Sequence, residues 1–382
     1  MVRRRVAGAV RLVVSNGART WGGLEQMTEL LALGLTARGH EVVLFCRRNS
    51  PLHVRLGSLL PCEPILRGGR LDPITVARCY MALRRHRPDA VIGNTAKEPS
   101  WTGIAGRALG IPFLYRHEFN SPYPSHPRDR LVFGWVPAMH VVNSRASRDT
   151  VVASAPWIPG ERVRVVPNGI RFEESAGAGR TDLALPPGAV TFGFVGRFEE
   201  GKGIVELAEA WPRVVSAVPN AHLMLVGWGH LEAFLNAELA PAPNVHMLGF
   251  REDVPALMNA FDVLVAPFHQ DGFGLVLVEA MAAGVPVVAA RASATPEIVD
   301  DGVEGKLVPV RDASALANAM IELGRDAGLR ARLGRAGRAR AARDFRWERM
   351  VEEHELLLEE LTGASRPGRP SRTSAPGGPR TG

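Results

Sequence analysis

Two carboxylates, Asp271 and Glu279, stand eight positions apart in HQDGFGLVLVEAMAAG, with Gly-Phe-Gly and an apolar run between them. A wholly buried strand or helix would hold neither acid. The preceding DVLVAPF has the composition of a buried strand, and the spacing predicts a loop at HQDGFG and a helix from about Leu275. Asp271 then lies in the loop and Glu279 just over one turn into the helix, so both face one cleft above the helix N-terminus. The free N–H groups of Phe273, Gly274 and Leu275 between them suit phosphate or sugar oxygens. The acids suit hydroxyl groups, which donate to carboxylates. The pattern fits a polyol approached closely by backbone. The plainer reading is a helix N-terminus with a favourable acid beside it.

Three further loops follow strand-like runs. In FVGRFEEGKG, Arg197 turns out of a strand and Lys202 sits between two glycines at the start of a helix. Arg forks to two oxygens and Lys acts as a point charge, so the pair can cradle a diphosphate; a loop of solvated charges is the alternative. In NGARTWGGLEQ, Gly22 and Gly23 let backbone approach a ligand before the next helix, or simply make a tight turn. His117 ends the strand-like part of LYRHEFN, where a structural role competes with a ligand contact.

The elements that must position these loops are legible as alternation. RLVVS, EVVLFC, DAVIGN, PFLYRH and HVVNS in the first half, and VTFGFVG, HLMLVG, NVHMLG, DVLVAP and VPVVAA in the second, are apolar strand-like runs. Helix-like segments separate them, which predicts α/β architecture with parallel sheets buried on both faces. The alternation lapses once, at RFEESAGAGRTDLALPPG, which reads as a domain linker. The domains run 1–172 and 190–345, with the linker over 173–189, an amphipathic helix over 346–362 and a disordered Pro/Gly/Ser/Arg-rich tail over 363–382.

The chain has 382 residues, 46% hydrophobic but only 6% aromatic, so its cores are built mainly from Val, Leu and Ala. Three cysteines, Cys46, Cys62 and Cys79, lack metal-type spacing and suit a reducing, cytoplasmic setting. The opening MVRRRVAGAVRLVVSNG reads as a first strand rather than a signal peptide, and no apolar run reaches membrane-spanning length. The formal charge of +7 suits an anionic ligand or the cytoplasmic face of a membrane, touched peripherally. No aromatic-basic interleaving points to nucleic acid.

Taken in order, WGGLE, VVNSRASRDTVV, VRVVPNGI, VGRFEEGKG, LVGWGHLEAFL, VHMLGFREDVPALMNAFDVLVAPF, DGFGLVLVEAMAAGVPVVAA and PEIVDDGVEGKLV resemble the family 4 glycosyltransferases. These are retaining enzymes of the GT-B fold, and the resemblance covers nearly the whole chain except the tail. It implies two Rossmann-like domains facing across a cleft. The first is the acceptor side, the second holds a nucleotide-diphosphate sugar, and the last helix crosses back to the first. It further implies that Arg197 and Lys202 hold the diphosphate and Glu279 the ribose. Asp271 and His117 would contact the donor sugar. Phe273, Gly274 and Leu275 would give backbone contacts, and Gly22 and Gly23 would close on the diphosphate. The segment 249–253, with Phe250 and Arg251, would line the base. The first acid departs from the family's Glu-x7-Glu: Asp271 is one methylene shorter, so no donor sugar is carried over.

The implied reaction moves a sugar from a nucleotide sugar, UDP- or GDP-linked, to a hydroxyl of a glycan, lipid-linked or small-molecule acceptor. No metal or further cofactor is expected, because cations and helix N-termini stabilise the departing diphosphate. Rivals on the same fold are a nucleotide-sugar epimerase, a sugar phosphorylase and a non-catalytic nucleotide-sugar binder.

Overall fold

The computed structural model describes residues 9–69, 72–172, 185–239, 242 and 244–363. Seven strands build the first sheet: β1 (Arg11–Asn16), β2 (Glu41–Cys46), β3 (Cys62–Glu63), β4 (Ala90–Gly93), β5 (Phe113–His117), β6 (Met139–Val142) and β7 (Val163–Val165). Their order is β3-β2-β1-β4-β5-β6-β7, and every pairing is parallel. Six strands build the second: β8 (Val190–Val195), β9 (Ala221–Val226), β10 (Val245–Gly249), β11 (Val263–Ala266), β12 (Val287–Ala290) and β13 (Gly305–Val308). They run parallel in the order β10-β9-β8-β11-β12-β13. Each order reverses beside the sheet's first strand, which opens a crevice at the carboxyl ends of β1 and β4 and of β8 and β11.

The central strands are apolar on both faces because helices cover both. In the first domain Leu12, Val14, Leu44 and Ile92 point into one helix layer, and Val13, Phe45, Val91 and Phe113 into the other. The second domain joins its two layers into one continuous core around Phe192, Phe194, Trp211 and Met281.

Two chain crossings tie the domains together. Ile170 N–H donates to the Phe345 carbonyl at 2.9 Å, and Trp347 N–H donates to the Ile170 carbonyl at 3.1 Å. The helix Trp347–Thr362 then packs on the first domain's helix Gly23–Ala37. The seam is close because Gly34 has no side chain: a Cβ there would collide with Val351 and Trp347. Glu355 of the last helix is buried and binds Arg38 at 2.6 Å and His40 at 2.9 Å. The linker expected at 173–189 falls largely outside the described residues, and so does the tail from 364 onward.

Candidate active site

The loop after β11 and the one after β8 are locked into a single unit. The N–H groups of His269 and Gln270 both donate to the Gly201 carbonyl, at 3.1 and 3.2 Å. Gly203 has a φ of +63°, and a Cβ there would collide with the Pro267 carbonyl, so only glycine lets the two loops meet this closely. The result sets Lys202 Nζ 3.0 Å from Asp271 Oδ1 and 4.5 Å from the centre of the Phe268 ring. Asp271 Oδ1 also accepts from Gly272 N–H at 2.8 Å. The helix Leu275–Ala283 starts beside this pair, entered through Gly274 in a left-handed conformation.

The first domain closes over the same loop. A Cβ on Gly272 would collide with the Glu118 carbonyl, and one on Gly23 would press on Leu275 Cδ1. Glu279 faces this seam, where Gln26 of the first domain donates to its carboxylate, yet burial pushes the carboxyl up to about 6. Beyond the cleft, Glu297 accepts from the N–H groups of Arg145 and Ala146, at 2.9 and 2.8 Å. A second-domain carboxylate thereby caps the first-domain helix Arg145–Ser154.

Lys202, Asp271, Gly272–Leu275, Glu279 and Gly23 therefore converge, with Gly22 one residue before the helix that carries Gln26. Arg197 shares their strand end, but its side chain is 62% exposed and pairs with Glu199 at 3.0 Å. His117 is buried: its ring stacks on Tyr123 with centroids 4.9 Å apart, and its Nε2 donates to the Ser121 carbonyl at 3.0 Å. Burial holds that imidazole below its usual range, so it is neutral. Phe250 is exposed at the end of β10, and Arg251 is clasped by Asp253 through two bonds of 2.7 and 2.6 Å. Phe273 is buried edge-on against Phe345 and offers the cleft only its backbone.

Sequence reasoning missed the groups that brace these positions. Arg116 and Glu118 flank His117 and form a buried ion pair, 2.5 Å apart, shared with Asn168 and Asn94. Glu98 is fully buried beneath the loop after β1, where it accepts from Gly17 N–H at 2.7 Å and Thr95 N–H at 2.5 Å. Burial raises its carboxyl to about 7. The folded protein thus binds this proton more tightly than the unfolded chain. That contribution to stability is complete below about pH 4.5, the ordinary glutamate range, and fades as pH rises to 7. Glu98→Gln is expected to flatten the wild type's fall in Tm across this window; parallel Tm–pH curves would count against a raised carboxyl.

Two family models match this chain: "Glycosyltransferase Family 4" over 21–174 and "Glycosyl transferases group 1" over 189–326. Over 366 residues, 90% of this chain and 91% of its relative, it is 34% identical to the phosphatidyl-myo-inositol mannosyltransferase of Mycolicibacterium smegmatis. The chain belongs to glycosyltransferase family 4. A protein of the same name from Mycobacterium leprae is 37% identical over 186 residues, but that match spans only about half of its relative, 49%. Among solved structures, Anabaena Alr3699/HepE in complex with UDP and glucose superposes with a TM-score of 0.79 at 22% identity, over 92% of this chain and 100% of that one. This likeness gives the GT-B fold: two parallel Rossmann-like sheets, with the last helix returned to the first domain.

Proposed function

We propose that this protein transfers a sugar from a nucleotide-diphosphate sugar to an acceptor hydroxyl, with retention of anomeric configuration. The observation that carries the reading is the Lys202–Asp271 pair, 3.0 Å apart beside the start of the helix Leu275–Ala283. In the free protein the two charges neutralise each other. An arriving diphosphate competes for Lys202, and Arg197 leaves Glu199 to take a second pair of oxygens. Asp271 is then released to accept from a sugar hydroxyl while Glu279 exchanges Gln26 for the ribose. Each protein–protein contact thus has a ligand contact to replace it.

As the bond between the anomeric carbon and the diphosphate breaks, charge grows on the departing oxygen. Lys202, Arg197 and the N–H groups at Gly274 and Leu275 stabilise it. The acceptor hydroxyl attacks from the same face and gives its proton to the departing phosphate oxygen. Neutral His117, lodged at the end of β5, orients the sugar rather than moving a proton. The seam at Gly272 and Glu118 keeps water from the reacting carbon.

The acceptor reading follows the relatives' printed name, which specifies a phosphatidyl-myo-inositol acceptor. Three helices of the first domain, Pro73–His86, Thr102–Ala108 and Pro127–Trp135, support a lipid-bound acceptor. Between them they carry one acid, Asp129, and it is buried. They expose Ile74, Met81, Leu131 and Trp135 among Arg84, Arg107 and Arg128, and the first two helices flank an apolar groove of about 540 Å³. That face suits an anionic bilayer, touched peripherally. Among the described residues no helix is long and apolar enough to cross a membrane.

Thermal-shift titration with UDP, GDP, ADP and TDP tests the donor half. One nucleotide is expected to raise Tm, by about 2.7 kcal/mol of stabilisation at a hundredfold excess over Kd. Arg197→Ala should weaken that shift. A wild type that responds to none of the four would sink the reading.

A further inference from the structure

The loop between β5 and the helix Pro127–Trp135 folds back over His117. Two contacts hold it there. The Ser121 carbonyl accepts from His117 Nε2 at 3.0 Å, and the Tyr123 ring lies on the imidazole, with 4.9 Å between centroids and 22° between planes. Tyr123 is itself buried in a box of rings, with Phe133, His140 and Trp157 at centroid distances of 4.8, 5.6 and 6.2 Å. Its N–H donates to Ser154 Oγ at 3.1 Å, and its hydroxyl stands 2.8 Å from His140 Nδ1. The donor loop comes from the other side: the next residue's carbonyl, Glu118, is the one against Gly272.

These bonds fix where each proton sits. His140 is buried on β6, and burial pushes it down to about 3, so it is neutral and carries one ring N–H. That N–H donates to the Phe133 carbonyl, so Nδ1 is the acceptor and the Tyr123 phenol the donor. His117 is neutral too, and its one N–H is spent on Ser121. Its Nδ1 is therefore a lone-pair acceptor, and nothing among the described residues donates to it. A hydrogen bond at one nitrogen leaves an imidazole free to swing about that contact. A ring stacked on its face fixes the plane as well. The titratable and charged groups around this imidazole are Tyr115 and Tyr123, whose rings face it, Glu118 next in the chain, and His140 beyond Tyr123. Arg162 acts on His140, and Arg116 is turned to Glu118. Glu118 favours a proton on His117, and burial outweighs it.

We infer that Tyr123 is a positioning residue for the transfer: its ring holds the His117 imidazole in one plane and one tautomer, with Nδ1 presented as an acceptor to a hydroxyl of the donor sugar. The inference rests on the transfer reading, in which His117 orients that sugar. His140 anchors Tyr123 from behind through the phenol hydroxyl. The two parts of the tyrosine thus have separate tasks. The ring sets the chemistry of His117, and the hydroxyl adds stability by satisfying a buried acceptor. A flipped or solvated imidazole would offer an N–H, or a full charge, where the sugar hydroxyl needs an acceptor.

Long-range proton–nitrogen NMR spectra of histidine-labelled protein, titrated from about pH 5 to 8, read the ring directly, and His117→Gln assigns its signals. The wild type is expected to show His117 as the Nε2–H tautomer, with a midpoint below the ordinary 6.5. Tyr123→Phe keeps the ring and should keep both signatures while Tm falls, because His140 Nδ1 loses its donor. Tyr123→Leu should move the midpoint up toward 6.5 and mix the tautomers; Tyr123→Met takes its place if that variant does not fold. Hydrolysis of UDP-glucose and GDP-mannose forms the second arm. Tyr123→Leu should lower kcat at least about tenfold with KM within twofold, and Tyr123→Phe should stay within threefold of the wild type. A wild-type His117 in the Nδ1–H form, or a Tyr123→Leu spectrum like the wild type's, overturns the inference. So does a Tyr123→Phe that falls as far as Tyr123→Leu in both arms. A wild type that hydrolyses neither donor counts against the transfer reading instead, and the spectra still decide whether Tyr123 sets the His117 ring.

Discussion

Lys202→Ala is expected to lower donor turnover by about 10²–10³-fold, the usual cost of removing one preorganised donor from a developing oxyanion. The argument is geometric. Lys202 is 14% exposed, lies against the Phe268 ring and points at Asp271. It is the cation held where two loops converge beside the helix start at Leu275. Charge stabilisation there is worth more than in water, because the first domain covers the loop. Folding should survive. The pair is only 14% and 26% exposed, so breaking it costs about 1–3 kcal/mol, between the surface and buried cases, and the Tm should fall by several degrees without loss of the fold. Lys202→Arg should not restore the rate fully, since a planar fork cannot occupy the narrow place of an ammonium between Phe268 and Asp271. Single-turnover donor hydrolysis, read beside Tm, separates the two effects. An alanine variant with wild-type turnover would remove Lys202 from the diphosphate.

How far the sequence alone leads can be judged at this loop. The prediction that the helix begins near Leu275 agrees with its observed span, Leu275–Ala283, flanked by Gly274 and Gly284, both in left-handed conformations. Glycine at both ends and an apolar body between are local signals, so they are readable. The parallel strands were legible for the same reason, as apolar runs such as VTFGFV in β8. What decides the cleft is not local. Glu279 meets Gln26, and Glu297 meets Arg145 and Ala146, across the domain boundary. No periodicity links residues that far apart. Glu98 sits in NTAKEPSW, which has the composition of any surface turn, yet it is fully buried because two loops deliver N–H groups to it. In LYRHEFN the histidine stands out by its place at a strand's carboxyl end, while its neighbours Arg116 and Glu118 hold that strand end in place. Charges flanking a strand's carboxyl end were the one available signal.

Those two charges support the other large expectation: Arg116→Met should destabilise the protein by about 3–5 kcal/mol, the usual cost of stranding one member of a buried ion pair. Arg116 is 1% exposed, and its guanidinium reaches Glu118 at 2.5 Å, Asn94 at 3.0 Å and Asn168 at 3.4 Å. Remove it and, among the described residues, the Glu118 carboxylate keeps Asn168, at 2.7 Å, and a longer contact to Asn143 at 3.4 Å. Two amides cannot repay the desolvation of a full charge. The damage should also reach the active site. The Glu118 carbonyl is held by Asn143 at 2.8 Å and stands directly against Gly272, one residue from Asp271. A carboxylate that seeks water would pull this corner away from the donor loop and open the seam. The double variant Arg116→Met, Glu118→Gln tests the cause. With no charge left to strand, it should recover more than half of the lost stability, giving a coupling energy that denaturant unfolding can measure. Additive losses would mean that Arg116 acts by packing alone. A single variant as stable as the wild type would mean that water already reaches this pair.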